Sequence, residues 1–191
     1  MAGLADDLRT RKALPDALRV LVQEFPREAW KDHPNFSQLI AFWLDRHLMF
    51  RALLERLEQT GQAALDRKAD PRRTQAEISR FGGMLINELH GHHRIEDLHY
   101  FPVMQRLDTR VSAGFDLLDK DHHALDGILA GLADGANAAL RMQEGGDPFR
   151  DKVAAFRKDL KAFAPMLDRH LEDEEELVVP VLLKYAPEEF R

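Results

Sequence analysis

The chain has 191 residues, 27 Lys+Arg against 33 Asp+Glu for a net charge of −6, and no cysteine. That length suits one domain able to bury a sizeable core. The missing thiol excludes a disulfide scaffold, a thiolate metal site, an iron–sulfur cluster and a cysteine nucleophile. The acidic balance, with only short basic clusters such as Arg72-Arg73, argues against a nucleic-acid partner.

Leu and Ala number 28 and 23, whereas Val, Ile and Thr together make 17, so the composition favours helix over strand. No run of 18 apolar residues is present, so no membrane span is expected. The opening Met-Ala-Gly-Leu-Ala-Asp-Asp has early acids and no apolar core, unlike a secretory signal, so a cytoplasmic location is expected.

In chain order, residues 1–34 read as an N-terminal helical arm, with a helical stretch near Leu14 to Phe25 before Pro26 and Pro34. From Phe36 the apolar period is helical through Ile40, Trp43, Leu44, His47, Phe50, Leu54 and Leu57. Asp70-Pro71 is a start signal, Asp as N-cap and Pro in the first turn. The second helix then passes Ile78, Leu85, Leu89 and His92 towards Pro102, and Gly82-Gly83 within it suggests a close helix contact. Asp108-Thr109-Arg110 reads as a turn. A third helix carries Phe115, Leu118, His122, Leu125 and Leu129, and Gly145-Gly146 stops it. Asp147-Pro148 opens a fourth, with Phe156, Leu160, Phe163, Leu167, His170 and Leu177. The expected fold is all-α, an antiparallel up-down-up-down four-helix bundle over 35–185, preceded by the arm and followed by a tail at 186–191.

Two segments repeat. His92-x3-Glu96 is followed by Pro102, and His170-x3-Glu174 by Pro180. Ahead of each lies one more histidine, His47 or His122, on a leucine stripe. Residues four apart share a helix face, so each pair points one way, and all six lie on apolar stripes. Buried carboxylates and imidazoles at one level are costly unless paired or bound to a cation. Nitrogen and oxygen donors without sulfur suit non-haem iron, manganese or zinc. Two carboxylates between two histidine pairs suit a two-metal centre with the carboxylates as bridges.

At these residues the chain resembles the hemerythrin-like (HHE cation-binding) family. The match lies in His92-x3-Glu96-Asp97…Pro102, in His170-x3-Glu174-Glu175…Pro180, and in the lone His47 and His122. The resemblance implies two iron ions in an Fe–O–Fe type centre, with His47, His92, His122 and His170 as terminal ligands and Glu96 and Glu174 as bridges. It implies a small ligand, O2, NO or peroxide, at an open iron position. Oxygen-carrying hemerythrins use five histidines, the extra one four residues on in the third helix, where Asp126 stands here. Their last carboxylate also follows its histidine by five residues, whereas Glu174 follows His170 by four. These departures favour sensing, iron binding or stress chemistry over reversible oxygen carriage.

His99, two turns beyond His92, and Asp126 are candidates for an extra ligand or for a group behind the ligands. Trp43 and Phe50, one turn either side of His47, are candidates for the pocket wall. His93 and His123 read as rim or surface residues, and the acid run Glu172–Glu176 as a solvated face apart from Glu174. Two rival readings use the same residues: a di-iron oxidase or peroxidase, and a metal-stabilised bundle acting as an interaction module. A protein partner or a homo-oligomer is compatible with either.

Overall fold

A computed structural model describes residues 7–143 and 145–190. Among these residues the chain is helical and has no strand. A short α1, Val20–Glu24, is followed by the long α2, Gln38–Leu65. Helix α3, Pro71–Glu77, runs through a π-turn at Ile78–Gly82 into α4, Gly83–Ile95. A second π-turn, Glu96–Tyr100, leads into α5, Phe101–Leu107. The long helices α6, Ser112–Leu140, and α7, Asp147–Tyr185, complete the order. At 39 residues α7 is about 58 Å long at the helical rise per residue, and it continues through Pro165 and Pro180. No helix among the described residues is long and apolar enough to cross a membrane.

The breaks between helices follow from local chemistry. After α2, Lys68 N–H donates to Ala63 and Arg67 N–H to Ala64, and Arg67 sits at φ 59°. That is the paired bonding of a left-handed helix stop, made by a residue other than glycine. Three residues on, the Asp70 carboxylate caps α3 by accepting from Arg73 N–H at 3.1 Å, with Pro71 in the first turn where no N–H is needed. The carbonyls of Ala139, Leu140 and Met142, at and just beyond the end of α6, accept from the Gln75 amide at 3.2, 3.3 and 2.8 Å. Gly146, at φ +129°, makes the turn into α7. The expected close contact at Gly82-Gly83 is absent: a Cβ on either residue would meet nothing within 4 Å. Gly82 instead ends the first π-turn, whose wider coil a residue without a side chain tolerates.

The chain's contacts divide it into two compact units. One is built from the segments Met49–His92 and Ala124–Pro165, and buries Phe50, Leu57, Ile78, Leu85, Leu89, Leu125, Leu129, Phe156 and Phe163. The other gathers the chain up to Leu48, His93–His123, and the chain from Met166 on. Its core brings Leu14, Leu21 and Trp30 from the N-terminal arm against Trp43, Phe101, Phe115 and the Leu177–Leu183 stretch. Each such side chain contributes about 1.5–3 kcal/mol through apolar burial, so the arm is bound into this unit by its own hydrophobic residues. The same unit holds most of the chain's buried charge, including His47, His93, Glu96, Asp121, His122, His170, Asp173, Glu174 and Glu175.

Candidate metal centre

Five helical segments supply the donors, all buried except the half-buried His92. His47 comes from α2; His92 and His93 from the end of α4; Glu96 from the start of the second π-turn; His122 from α6; His170 and Glu174 from α7. They fall into two groups. In one, His93, His122 and His170 each place a ring nitrogen within 4.8 Å of the others. In the other, His47, His92, Glu96 and Glu174 place one donor atom each within the same limit. His92 precedes Glu96 by one turn, so local helix geometry alone aims the two together.

The two glutamates reach both groups. Glu174 Oε1 lies 3.2 Å from His47 Nε2 and its Oε2 lies 3.5 Å from His170 Nε2. Glu96, a member of the second group, has Oε2 3.5 Å from His122 Nε2 in the first. Each carboxylate therefore sits where one oxygen could serve a cation in each group.

Behind the histidines stands a second set of carboxylates. His47 Nδ1–H donates to Glu175 at 2.9 Å, and His122 Nδ1–H to Asp97 at 2.7 Å. His170 Nδ1 faces Asp121 at 3.5 Å. In all three rings Nδ1 turns outward to an acid and Nε2 turns inward to Glu96 or Glu174. Holding Nδ1–H in this way fixes the tautomer that leaves Nε2 free to ligate. His122 Nε2 is buried with no hydrogen-bond partner among the described residues, as expected of a donor aimed at a cation. The set of imidazole and carboxylate donors, with no thiolate, fits a transition-metal ion.

The electrostatics of the cluster follow from its burial and its facing acids. Burial, and then the neighbouring Glu174, push the Glu96 carboxyl well above the usual carboxylate range. Burial works to discharge His47, but Glu174 and Glu175 outweigh it and push the imidazole up to about 9. Glu175 resists the upward push of its own burial, held down to about 2 by His47 and Arg27. His170, fully buried, is lowered by desolvation despite Asp121. Two acids are thus forced close together, which a bound cation would relieve.

All six residues expected to ligate are gathered here, and His93 lies among them. His93, expected at the rim, is 3% exposed. Its ring stacks on His122 with centroids 3.9 Å apart and meets His170 edge-on at 5.3 Å. The buried stripe of this helix runs Leu85, Leu89, His93, Glu96, with spacings of four, four and three. Those spacings are as helical as the step from Leu89 to His92, and the His92-His93 doublet was the signal available. His123 does stay outside, its ring N–H donating to the Asp119 carbonyl at 2.8 Å.

Two candidates fall away from the cluster. His99 is exposed. The π-turn Glu96–Tyr100 inserts a residue into the helical count, so a position seven beyond His92 leaves the inward stripe. The widened turn precedes Pro102, which lacks an N–H and crowds the carbonyl four residues back. Asp126 is also exposed and faces His90 across the surface at 3.3 Å. Trp43 and Phe50 do touch the cluster: the Trp43 indole N–H donates to Glu174 Oε1, and the Phe50 ring lies 5.3 Å from that of His92.

The acid run is the largest correction. Asp173, Glu174 and Glu175 are all buried, at 0%, 0% and 4% exposure. Arg11 and Arg27, both on the N-terminal arm, cover this face and pair with Asp173 and Glu175. No local pattern in residues 172–176 reveals arginines that arrive from about 150 positions away.

Against known families, the model of the hemerythrin HHE cation-binding domain matches residues 38–183. No curated protein and no solved structure matches the chain.

Proposed function

We propose that this chain, which belongs to the hemerythrin HHE cation-binding domain family, holds two iron ions and presents them to a small ligand such as O2, NO or peroxide. In this reading His93, His122 and His170 serve one cation, His47 and His92 serve the other, and Glu96 and Glu174 bridge them. The observation that carries it is the reach of the two glutamates, each with an oxygen towards histidines of both groups. The residues belong to an up-down-up-down bundle over 35–185, with 1–34 as an arm and 186–191 as a tail.

Bound iron would supply Lewis acidity and an exchangeable electron. The chain's own residues do the rest. Glu175, Asp97 and Asp121 hold His47, His122 and His170 in their ligating orientation. Trp43 fixes one oxygen of Glu174, and Phe50 closes the side next to His92. The apolar walls keep bulk water from the donors. His93, His122 and His170 would give one cation three imidazoles and His47 and His92 would give the other two, so the second position would offer a small ligand more room. Such a centre suits sensing, iron binding or a stress response in the cytoplasm.

The deciding experiment is metal analysis of protein purified without a metal-affinity tag, with visible spectra recorded with and without azide and oxygen. About two iron ions per chain and azide-responsive charge-transfer bands are expected of an open two-metal site. One zinc per chain with a silent spectrum overturns the ligand chemistry.

A further inference from the structure

The N-terminal arm supplies two arginines that end on the acids behind the histidines. Arg11 is 5% exposed. Its Nε donates to Asp173 at 2.7 Å, while Nη1 (3.3 Å) and Nη2 donate to the two oxygens of Asp121. Asp121 in turn faces His170 Nδ1. Arg27 donates to Glu175 Oε2, and Glu175 takes the Nδ1–H of His47 on its other oxygen. Arg27 is itself held, its guanidinium 4.6 Å above the ring of the buried Trp30. Two separate relays therefore run from arm to centre, Arg11–Asp121–His170 and Arg27–Glu175–His47, and each ends on a different group of donors.

A buried Arg–carboxylate cluster is a poor way to gain stability alone, because desolvation offsets most of the attraction. Fork-shaped guanidinium contacts do something else well: they lock a carboxylate in one orientation. Arg11 holds the Asp121 oxygen that faces His170 Nδ1, and Arg27 holds the Glu175 oxygen opposite the one that faces His47 Nδ1. We propose that the arm is a working part of the metal centre, with Arg11 and Arg27 as positioning residues that act through Asp121 and Glu175 to orient His170 and His47. This rests on the two-cation reading above.

The test uses the full chain loaded anaerobically with ferrous iron. It measures iron per chain, the rate of iron loss to a chelator, and the azide-bound visible spectrum. Arg27→Gln removes a half-exposed guanidinium and leaves the fold intact. It should speed iron loss about 10- to 100-fold, the effect typical of removing a group that holds a ligand, and shift the azide bands. Arg27→Lys, which keeps a charge but not the fork, should fall between. Arg11→Gln should act the same way if it folds; it leaves Asp121 and Asp173 without their shared cation. Arg56→Gln breaks an exposed ion pair with Glu77 that touches neither the arm nor a histidine, and should leave iron loss and spectrum unchanged. Wild-type rates and spectra in Arg27→Gln, or an equal change in Arg56→Gln, overturn the arm's role. A wild-type chain that takes up no iron overturns the two-cation reading itself, and the arm's role falls with it.

Discussion

His93 stacks on His122 with ring centroids 3.9 Å apart and planes 10° from parallel. Two imidazoles in this arrangement bring their nitrogens to one side, and His170 closes the third edge. His93→Leu keeps the volume and apolar character of the site but removes a donor. It should lower iron content to about one ion per chain or weaken one site about 10- to 100-fold, with the helical circular dichroism unchanged. His99→Leu, at an exposed position, should change neither. Metal analysis of the two variants side by side decides it. Full occupancy in His93→Leu would remove His93 from the ligand set.

The bridging assignment makes a different demand. Glu96→Ala and Glu174→Ala should each lose at least one cation, because each removes an oxygen facing donors of both groups. Glu175→Ala should weaken, not abolish, binding, because it frees His47 Nδ1 rather than removing a ligand. Glu176→Ala, at a half-buried position beside Arg19, should have no effect. Iron titration of the four variants separates these outcomes, and two full sites in both bridge variants would falsify the assignment.

How much of this was legible in the sequence depends on the distance over which each feature is determined. The His-x3-Glu repeats are legible because one helical turn decides them, and the structure gathers all six residues. The Asp70-Pro71 restart is legible for the same reason. His93 was ambiguous, since steps of three and four are both helical and the choice rests on packing. His99 lies exposed, off the inward stripe, because a π-turn shifts the count without any mark except Pro102 downstream. The burial of Asp173 and Glu175 could not be read locally, because it depends on Arg11 and Arg27, which tertiary packing alone brings to that face.

Cation loading should release protons. Burial and Glu174 hold the Glu96 carboxyl well above the usual carboxylate range, and against its burial Glu174 and Glu175 push His47 up to about 9. A cation bound by both must displace the protons they carry, so loading should release protons near neutral pH and affinity should fall as pH falls. Calorimetry in buffers of differing ionisation enthalpy reads the number directly. A binding heat independent of buffer would mean that Glu96 and His47 are not ligands.

Away from the metal centre, Asp108 provides a test of acid stability. Its carboxylate accepts from the Arg110 guanidinium at 2.7 and 3.0 Å, from the Arg110 backbone N–H at 3.1 Å and from the Tyr185 hydroxyl at 3.0 Å. Led by the Arg110 side chain, these bonds outweigh the upward push of burial and hold it down to about 2. A depressed folded value means stability that is fully present above the ordinary carboxylate range and lost as pH falls through about 2. Asp108→Asn keeps the shape but loses the charge. It should cost about 1–3 kcal/mol near pH 6, the usual scale for a buried charge-assisted set. The gap to wild type should narrow as pH falls from about 4 towards 2, because the unfolded carboxylate takes up a proton there while the folded one keeps its charge down to about 2. Urea unfolding of metal-free protein at pH 6 and pH 2.5 measures both ends. An equal difference at the two values would place the effect in packing rather than in charge.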